Sequence, residues 1–331
     1  MAAKSDLQGA AGLDAELALE EHRVQITGYC YRMLGSAADA EDAAQETLTR
    51  AWKSLDRFEG RSSLRTWLFR IATNVCFDAL DAGRRRARPM DLNAAGSHDS
   101  PIGAPLPEST WVMPAPDGRG IETDVDPADR IVARESIRLA FVAALQHLPP
   151  RQRAVLILQD VLRWRATEVA QLLDTTVASV NSALQRARAT LESTDLSDMS
   201  VGEPVDRVDR ELLERYVDAF ERYDMDLLTA IVHEDATQSM PPLPLWLRGR
   251  EDVLTFWQTQ GRECAGSKLV PTVANGMPAF GQYRPSGPNG EHRPWALQIL
   301  HIEDDQVVEF AFFLDTDRLF PLFGLPPTPD A

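Results

Sequence analysis

Seven prolines between residues 89 and 127 (Pro89, Pro101, Pro105, Pro107, Pro114, Pro116 and Pro127) set the first limit on this chain. Each lacks an amide donor and fixes its own φ, so no regular helix runs through that segment. The 331 residues are therefore read as separate bodies on either side of a break, each long enough to bury a core. Upstream, few prolines interrupt a helical pattern, and Leu64, Leu68, Ile71 and Val75 share one helix face. A second helical block runs from about Asp129 to Leu191, and the joint SDMSVGEP follows it. From about Asp206 the pattern is mixed. Helical spacing covers Arg210–Ile231, with Leu213, Val217, Phe220, Leu227 and Ile231 as core candidates, and a further helix covers Glu251–Gln260. The segments SKLVPTVA, MPAFGQYR, PWALQILHIE and QVVEFAFFLD then read as strands, separated by turn-rich SGPNG and acidic EDD. Helices followed by antiparallel strands predict an α+β unit with its sheet wrapped over helices. The proline-rich break is read as an extended linker, although Leu106, Trp111, Val112 and Met113 make it more apolar than a solvated spacer needs.

A net charge of −16 argues against nucleic acid only if it is spread evenly, and it is not. Residues 1–90 sum to zero, 91–134 to −5, 135–195 to +1 and 196–331 to −12, while 50–88 alone carry +6. The acid sits in the linker and the last third, which leaves the front half free to bind DNA. Cys30, Cys76 and Cys264 are widely spaced and odd in number, as expected of reduced, buried thiols in a cytoplasm rather than a metal or redox site. No apolar run approaches the roughly 20 residues of a membrane span. MAAKSDLQGAAGLDAE lacks the basic-then-apolar order of a secretory signal. A cytoplasmic protein with no membrane partner, no cofactor and no metal is expected.

The strongest local signal is RWRATEVAQLLDTTVASVNSALQRARATL, residues 163–191. A cap near Thr167 starts a short helix with Val169, Ala170 and Leu173 inward, and Asp174-Thr175-Thr176 breaks it. Asp174 stands where such turns demand a positive φ, which aspartate tolerates better than most residues. The second helix buries Val177, Val180, Leu184, Ala187 and Leu191. Its outer face carries Ser179, Ser182, Gln185, Arg186 and Arg188. Small polar groups near that helix start can enter a major groove, and the arginines can reach phosphate or guanine. A plain helical hairpin with a solvated Arg/Gln face has the same periodicity.

The longer stretch LPPRQRAVLILQDVLRWRATEVAQLLDTTVASVNSALQRARATL resembles region 4 of the extracytoplasmic-function (ECF) sigma factors of the sigma-70 family. YRMLGSAADAEDAAQETLTRAWKSLDRFEGRSSLRTWLFRIATNVCFDALDAGRR resembles their region 2, and together the two matches span about residues 20–193. The resemblance implies a transcription initiation factor that binds core RNA polymerase and directs it to promoter DNA. Region 4 would read the minus-35 element through Thr176, Ser179, Ser182, Gln185, Arg186 and Arg188. Region 2 would dock on the largest-subunit clamp of the polymerase through Asp39, Glu41, Asp42, Gln45 and Glu46. Chemically, that acid lies on a helix surface whose other side offers Ala40, Ala43, Ala44, Thr47 and Leu48 for packing. It suits basic partner residues, and equally an ordinary solvated face. Interleaved aromatics and bases between Trp52 and Asn74 suit single-stranded DNA, because bases stack on rings while guanidinium groups follow phosphates. By resemblance, the minus-10 contacts are Phe58, Gly60, Arg61, Ser62, Ser63, Arg65, Trp67, Arg70 and Asn74. Trp67 is read equally as core. The run Arg84-Arg85-Arg86-Ala-Arg88 either touches phosphates or ends a helix in solvent. The linker would thread through polymerase channels, with Trp111–Pro114 docking the C-terminal domain.

Residues from about 206 to 325 resemble the SnoaL-like group of the cone-shaped NTF2-like fold, on RYVDAFERYDMDLLTAIVHEDATQSMPPLPLWLRGREDVLTFW and QILHIEDDQVVEFAFFLD. The expected chain is thus multidomain: two all-α domains, sigma region 2 (1–88) and the region 4 helix-turn-helix (129–194), joined by a linker (89–128). An α+β SnoaL-like domain (206–327) follows. Such fused domains imply an internal regulator that touches the sigma regions. Its candidate pocket residues are His233, Met240, Trp246, Trp257, Trp295 and Asp315, with Asp235 and His301 as further polar candidates. None of these forms a constellation that dictates a reaction. Two other functions remain open at this stage: a SnoaL-like cyclase or isomerase fused to a DNA-binding module, and a stand-alone helix-turn-helix regulator. An anti-sigma partner or a small ligand is also left open.

Overall fold

The computed structural model describes residues 17–60, 62–81, 86–117, 136, 138–193 and 210–330. The chain divides into two compact units. The first takes the residues up to Arg86, Val112–Pro114 and Gly118–Asp198, and the second takes Ala87–Trp111, Ala115–Asp117 and Met199–Ala331.

In the first unit, α1 (Arg23–Leu34), α2 (Ala37–Ser54) and α3 (Leu64–Asp81) pack together. Gly35 ends α1 at φ 71° and donates back to the Tyr31 carbonyl, which turns the chain sharply into α2. The Ser36 hydroxyl then caps α2 by accepting from the Asp39 amide. Ala40, Ala43, Ala44, Leu48 and Ala51 are buried along α2, so its backbone lies close to its neighbours while the acids stay outside. From α3, Leu68, Phe69, Ala72, Val75 and Cys76 fill the core, whereas Leu64 and Ile71 are half-buried. Thr73 donates to the Phe69 carbonyl, so the buried Tyr29 hydroxyl must be the donor in its 2.8 Å bond to Thr73.

The rest of that unit comprises α4 (Leu139–Leu145), α5 (Pro150–Leu156), α6 (Ala166–Leu172) and α7 (Val177–Ser193). Two buried arginines tie it to α1. Arg153 donates to the Met33 carbonyl near the C-terminus of α1, to Gln146 Oε1 at 2.6 Å and to the Leu148 carbonyl at 3.1 Å. Arg32 donates to Ser136 Oγ at 2.7 Å and to the Gly28 carbonyl at 2.8 Å. Its burial lowers its pKa to about 10. The Val112–Pro114 segment joins here too: Met113 donates its amide to Gly35 and accepts from the Tyr31 hydroxyl.

The second unit holds α8 (Arg210–Arg222), α9 (Met225–Ile231), β1 (Val232–Ser239), β2 (Trp246–Arg248) and α10 (Arg250–Gln258). It continues with β3 (Lys268–Ala274), β4 (Met277–Arg284), β5 (Arg293–Glu303), β6 (Gln306–Phe313) and α11 (Thr316–Leu322). The six strands form one sheet in the order β2-β1-β6-β5-β4-β3, all antiparallel except β1 with β6. Register shifts at Gln282/Tyr283 and His301/Ile302 mark bulges that bend it. Tyr216 and Phe220 of α8, Leu228 of α9 and Trp257 of α10 pack on Phe280, Leu300 and Phe310 of the sheet.

Four readings change. The helix read over Arg210–Ile231 is two helices, because Asp224 leaves helical geometry and caps α9 by accepting from the Leu227 amide. Strands β1 and β2 and helix α11 carry no alternation or long period and were not read from the sequence. Much of the proline-rich segment is not a free linker but a strap on the second unit. The Gly96 amide donates to Trp246 O, the Leu106 amide to Pro242 O and the Trp246 indole to Asn93 O. Farther along, Ala115 and Asn275 exchange two hydrogen bonds. Finally, Val112–Pro114, expected to dock the C-terminal domain, packs in the first unit; only Trp111 belongs to the second.

Candidate functional site

Four surfaces carry the predicted chemistry. On α2, Asp42, Gln45 and Glu46 are exposed, and Asp39 and Glu41 are half-buried. Asp39, Asp42 and Glu46 line one side of a groove floored by Leu34, Ala43, Val75 and Leu80, with Arg86 at one end. Its open volume is about 830 Å³. Arg86 is buried against Asp39 at 2.6 Å, so this member of the arginine run is a structural partner of the acidic face rather than a phosphate contact. Arg84 and Arg85 lie outside the described residues. Glu46 is paired to Arg50 at 2.7 Å, and Gln45 accepts from Arg23. Asp42 has no ion pair among the described residues.

The loop before α3 turns at Gly60, where φ is 68°. Arg61 lies outside the described residues. Phe58 packs on Trp67 with ring centroids 5.0 Å apart, so both are half-buried and support each other. Ser63 caps α3 by accepting from the Thr66 amide, Ser62 is half-buried and Asn74 is exposed. Phe69, by contrast, is fully buried core. The two arginines of this face are engaged inside the unit. The Arg65 guanidinium lies 4.9 Å from the Trp164 ring and 5.6 Å from Phe69, and Arg70 donates to the Gln171 carbonyl of α6. Trp164 and Phe69 are themselves 5.1 Å apart.

Around the predicted helix-turn-helix, Asp174 has φ 50°, as its place in the turn demands. Helix α6 starts on Arg165 rather than near Thr167, with the Glu168 carboxylate accepting from the Arg165 amide. Thr176 caps α7 by accepting from the Ser179 amide. Val180, Ala183, Ala187 and Leu191 are buried, but Val177, read as buried, is 38% exposed on the first turn of α7, beside the exposed Thr176 and Ala178. Ser179, Ser182, Gln185, Arg186 and Arg188 face outward. Arg188 is held by both oxygens of Asp160, at 2.9 and 2.7 Å, which raises its pKa and engages its fork inside the unit.

In the second unit, an apolar cavity of about 350 Å³, its mouth included, lies between the sheet and α8 and α10. Met240, Trp257 and Trp295 line it as predicted, and His233, Trp246 and Asp315 do not. His233 is half-exposed on β1, where its ring accepts from the Asp235 amide. Trp246 packs under Arg248 and hydrogen-bonds the strap. Asp315 stands at the N-cap position of α11, and its carboxyl is pushed up by burial. Asp235 is exposed, and His301 sits beside Glu303 and Glu309 away from the cavity. Sequence reasoning missed the polar wall: Gln238, Gln282, Tyr223 and Cys264. The available signal was glutamine inside otherwise apolar strands. Burial raises both the Tyr223 hydroxyl and the Cys264 thiol. The lining is amide, phenol, thiol, indole and hydrocarbon, with no carboxylate or imidazole.

Comparison with known proteins gives three family matches in chain order: Sigma-70 region 2 over residues 18–86, Sigma-70 region 4 over 138–191 and a SnoaL-like domain over 213–310. The chain is 44% identical over 310 residues to the ECF RNA polymerase sigma factor SigG of Mycobacterium tuberculosis, covering 93% of this chain and 82% of that protein. It is 29% identical over 245 residues to SigJ of the same organism, covering 72% and 70%. The crystal structure of that SigJ matches with a TM-score of 0.60 at 23% identity, over 95% of this chain and 99% of that one, so the two share a fold.

Proposed function

Because the chain belongs to the extracytoplasmic-function sigma factors of RNA polymerase, we propose that the acidic groove of α2 seats the polymerase and that α3 and α7 read its promoter. The chain is a transcription initiation factor that brings core polymerase to promoters. Its residues up to 88 serve as region 2, 129–194 as region 4 and 206–327 as an internal regulatory domain, and it works in the cytoplasm beside the polymerase. One observation carries the reading: the outward face of α7 presents Ser179, Ser182, Gln185 and Arg186 in helix-turn-helix geometry, behind an aspartate held at positive φ. A helix start bearing small polar groups and later arginines matches groove and phosphate chemistry. Asp42 and Glu46, on the exposed rim of a groove with an apolar floor, supply charge for orientation and hydrocarbon for affinity. The neutral lining of the C-terminal cavity favours binding over proton transfer, since general acid–base work needs a titratable group near neutrality.

The test is binding to core polymerase and run-off transcription with purified full-length protein. Asp42→Lys with Glu46→Lys is expected to weaken core binding at least tenfold while leaving duplex binding by α7 unchanged. Unaltered core affinity would overturn the assignment of the groove.

A further inference from the structure

Helix α7 turns one particular set of side chains away from the core. At about 100° per residue, Val180, Ala183 and Ala187 lie on its buried side, and Ala178, Ser182 and Gln185 stand opposite them. Asn181 flanks that stripe on one side and Arg186 on the other, and all five are exposed. Val177, also exposed, sits one turn before Asn181. Among the described residues, neither Asn181 nor Gln185 has a hydrogen bond from its side chain, and Arg186 has no carboxylate partner. Arg188 differs. Asp160 accepts from its Nε and from one Nη, so that edge of the guanidinium is spent inside the unit.

Base edges in a major groove differ in donors, acceptors and one methyl group. A carboxamide offers a donor and an acceptor side by side, which matches the N7 acceptor and N6 amino group of adenine. Guanine shows two acceptors there and calls for a guanidinium. Ala178 and Val177 present methyl groups, which suit the thymine methyl and offer a G·C pair no hydrogen bond. Side-chain length also grows along the stripe, from Ala178 through Asn181 to Gln185, as a helix entering the groove by its N-terminal end requires. Asn181 and Gln185 are separated by about 6 Å along the axis, or about two base-pair steps.

We propose that Asn181 is a specificity-determining residue: with Gln185 it makes α7 a reader of two adenines about two base pairs apart. Arg186, on the flank, holds the adjoining phosphate backbone. This inference rests on α7 reading duplex DNA, as proposed above.

The experiment uses full-length protein bound to core polymerase. This holoenzyme is offered duplexes randomised upstream of a start site, and the bound duplexes are sequenced. The wild-type protein should enrich two adenines, each about tenfold or more over guanine. Asn181→Arg should turn one of them, and only that one, to guanine, and Gln185→Arg should turn the other. Replacing the adenine assigned to Asn181 by 7-deazaadenine removes the N7 acceptor. It should weaken wild-type binding about tenfold and Asn181→Ala less than twofold, a pairing that a purely structural asparagine would not produce. Helicity measured alongside checks that each variant is folded. Adenine still preferred by Asn181→Arg, guanine at both positions in the wild type, or equal sensitivity of Asn181→Ala to the deaza base would overturn the inference and leave α7 as the reader. An upstream region with no enriched base would overturn that reading itself, and this inference with it.

Discussion

The grip of α6 and its preceding turn on α3 predicts that the free protein must open before it can serve two promoter elements. Elements named minus-35 and minus-10 lie about 25 base pairs apart, roughly 85 Å along the duplex at 3.4 Å per pair. A compact unit of about 170 residues has a radius of gyration near 15 Å, so under the proposed assignment its two helical modules cannot reach both elements while packed together. Arg65, stacked on Trp164 and Phe69, is a seam contact whose loss is calculable. A partly desolvated cation over aromatic faces contributes about 1–2 kcal/mol. Arg65→Met keeps the apolar stem and removes the charge. It should raise the ratio of open to closed forms about 5- to 30-fold, at 1.36 kcal/mol per tenfold. Dyes on Lys53 of α2 and Gln185 of α7, both exposed, read the change as single-molecule energy transfer. A change below twofold in a protein of unaltered helicity would refute the claim that this contact holds the modules together.

Two further predictions concern the strap. A Cβ on Gly96 would meet the buried Leu245 Cδ1 at 2.6 Å, so Gly96→Ala should cost about 1–2 kcal/mol by overpacking, read from the midpoint of urea unfolding. An unchanged midpoint would mean that the strap yields freely. His98 is held above its ordinary value, about 6.5, chiefly by its 2.7 Å bond to Asp252, whose carboxyl the His98 amide and ring hold down. With a raised histidine pKa, the contribution is complete below about pH 6.5 and fades as pH climbs through the folded value. With a lowered aspartate pKa, it is present above about pH 4 and fades below that. Limited proteolysis of residues 96–106 should therefore be slowest between these limits and quicken toward pH 8, and His98→Gln should flatten the profile.

What the chain order alone determined is whatever rests on neighbours in sequence. The helix-turn-helix was legible because its period, its threonine cap and a positive-φ aspartate all lie within 29 residues. The acidic face of α2 was legible because alanines at helical spacing leave only one side for the acids. Strands β3 to β6 were legible through alternation and turn chemistry. Tertiary structure decided the rest. VHEDATQS has no strand alternation, yet β1 forms because β2 and β6 satisfy its backbone on both edges. Arg32, Arg86 and Arg153 are enclosed by distant carbonyls, a serine and a carboxylate that no local pattern announces. The prolines were read as forbidding regular helix, yet Pro89 opens the short helix Pro89–Leu92, where its missing amide costs nothing, and they could not say that the segment would be stitched to β2 and α10. Met240, Trp257 and Trp295 were nameable as aromatic and apolar candidates. Gln238 joined the polar wall of the cavity only when Trp257, 19 residues on, donated to its oxygen. Local geometry is set by local dihedral and capping preferences. Burial, and the partners it forces on polar groups, is a property of the whole packed fold.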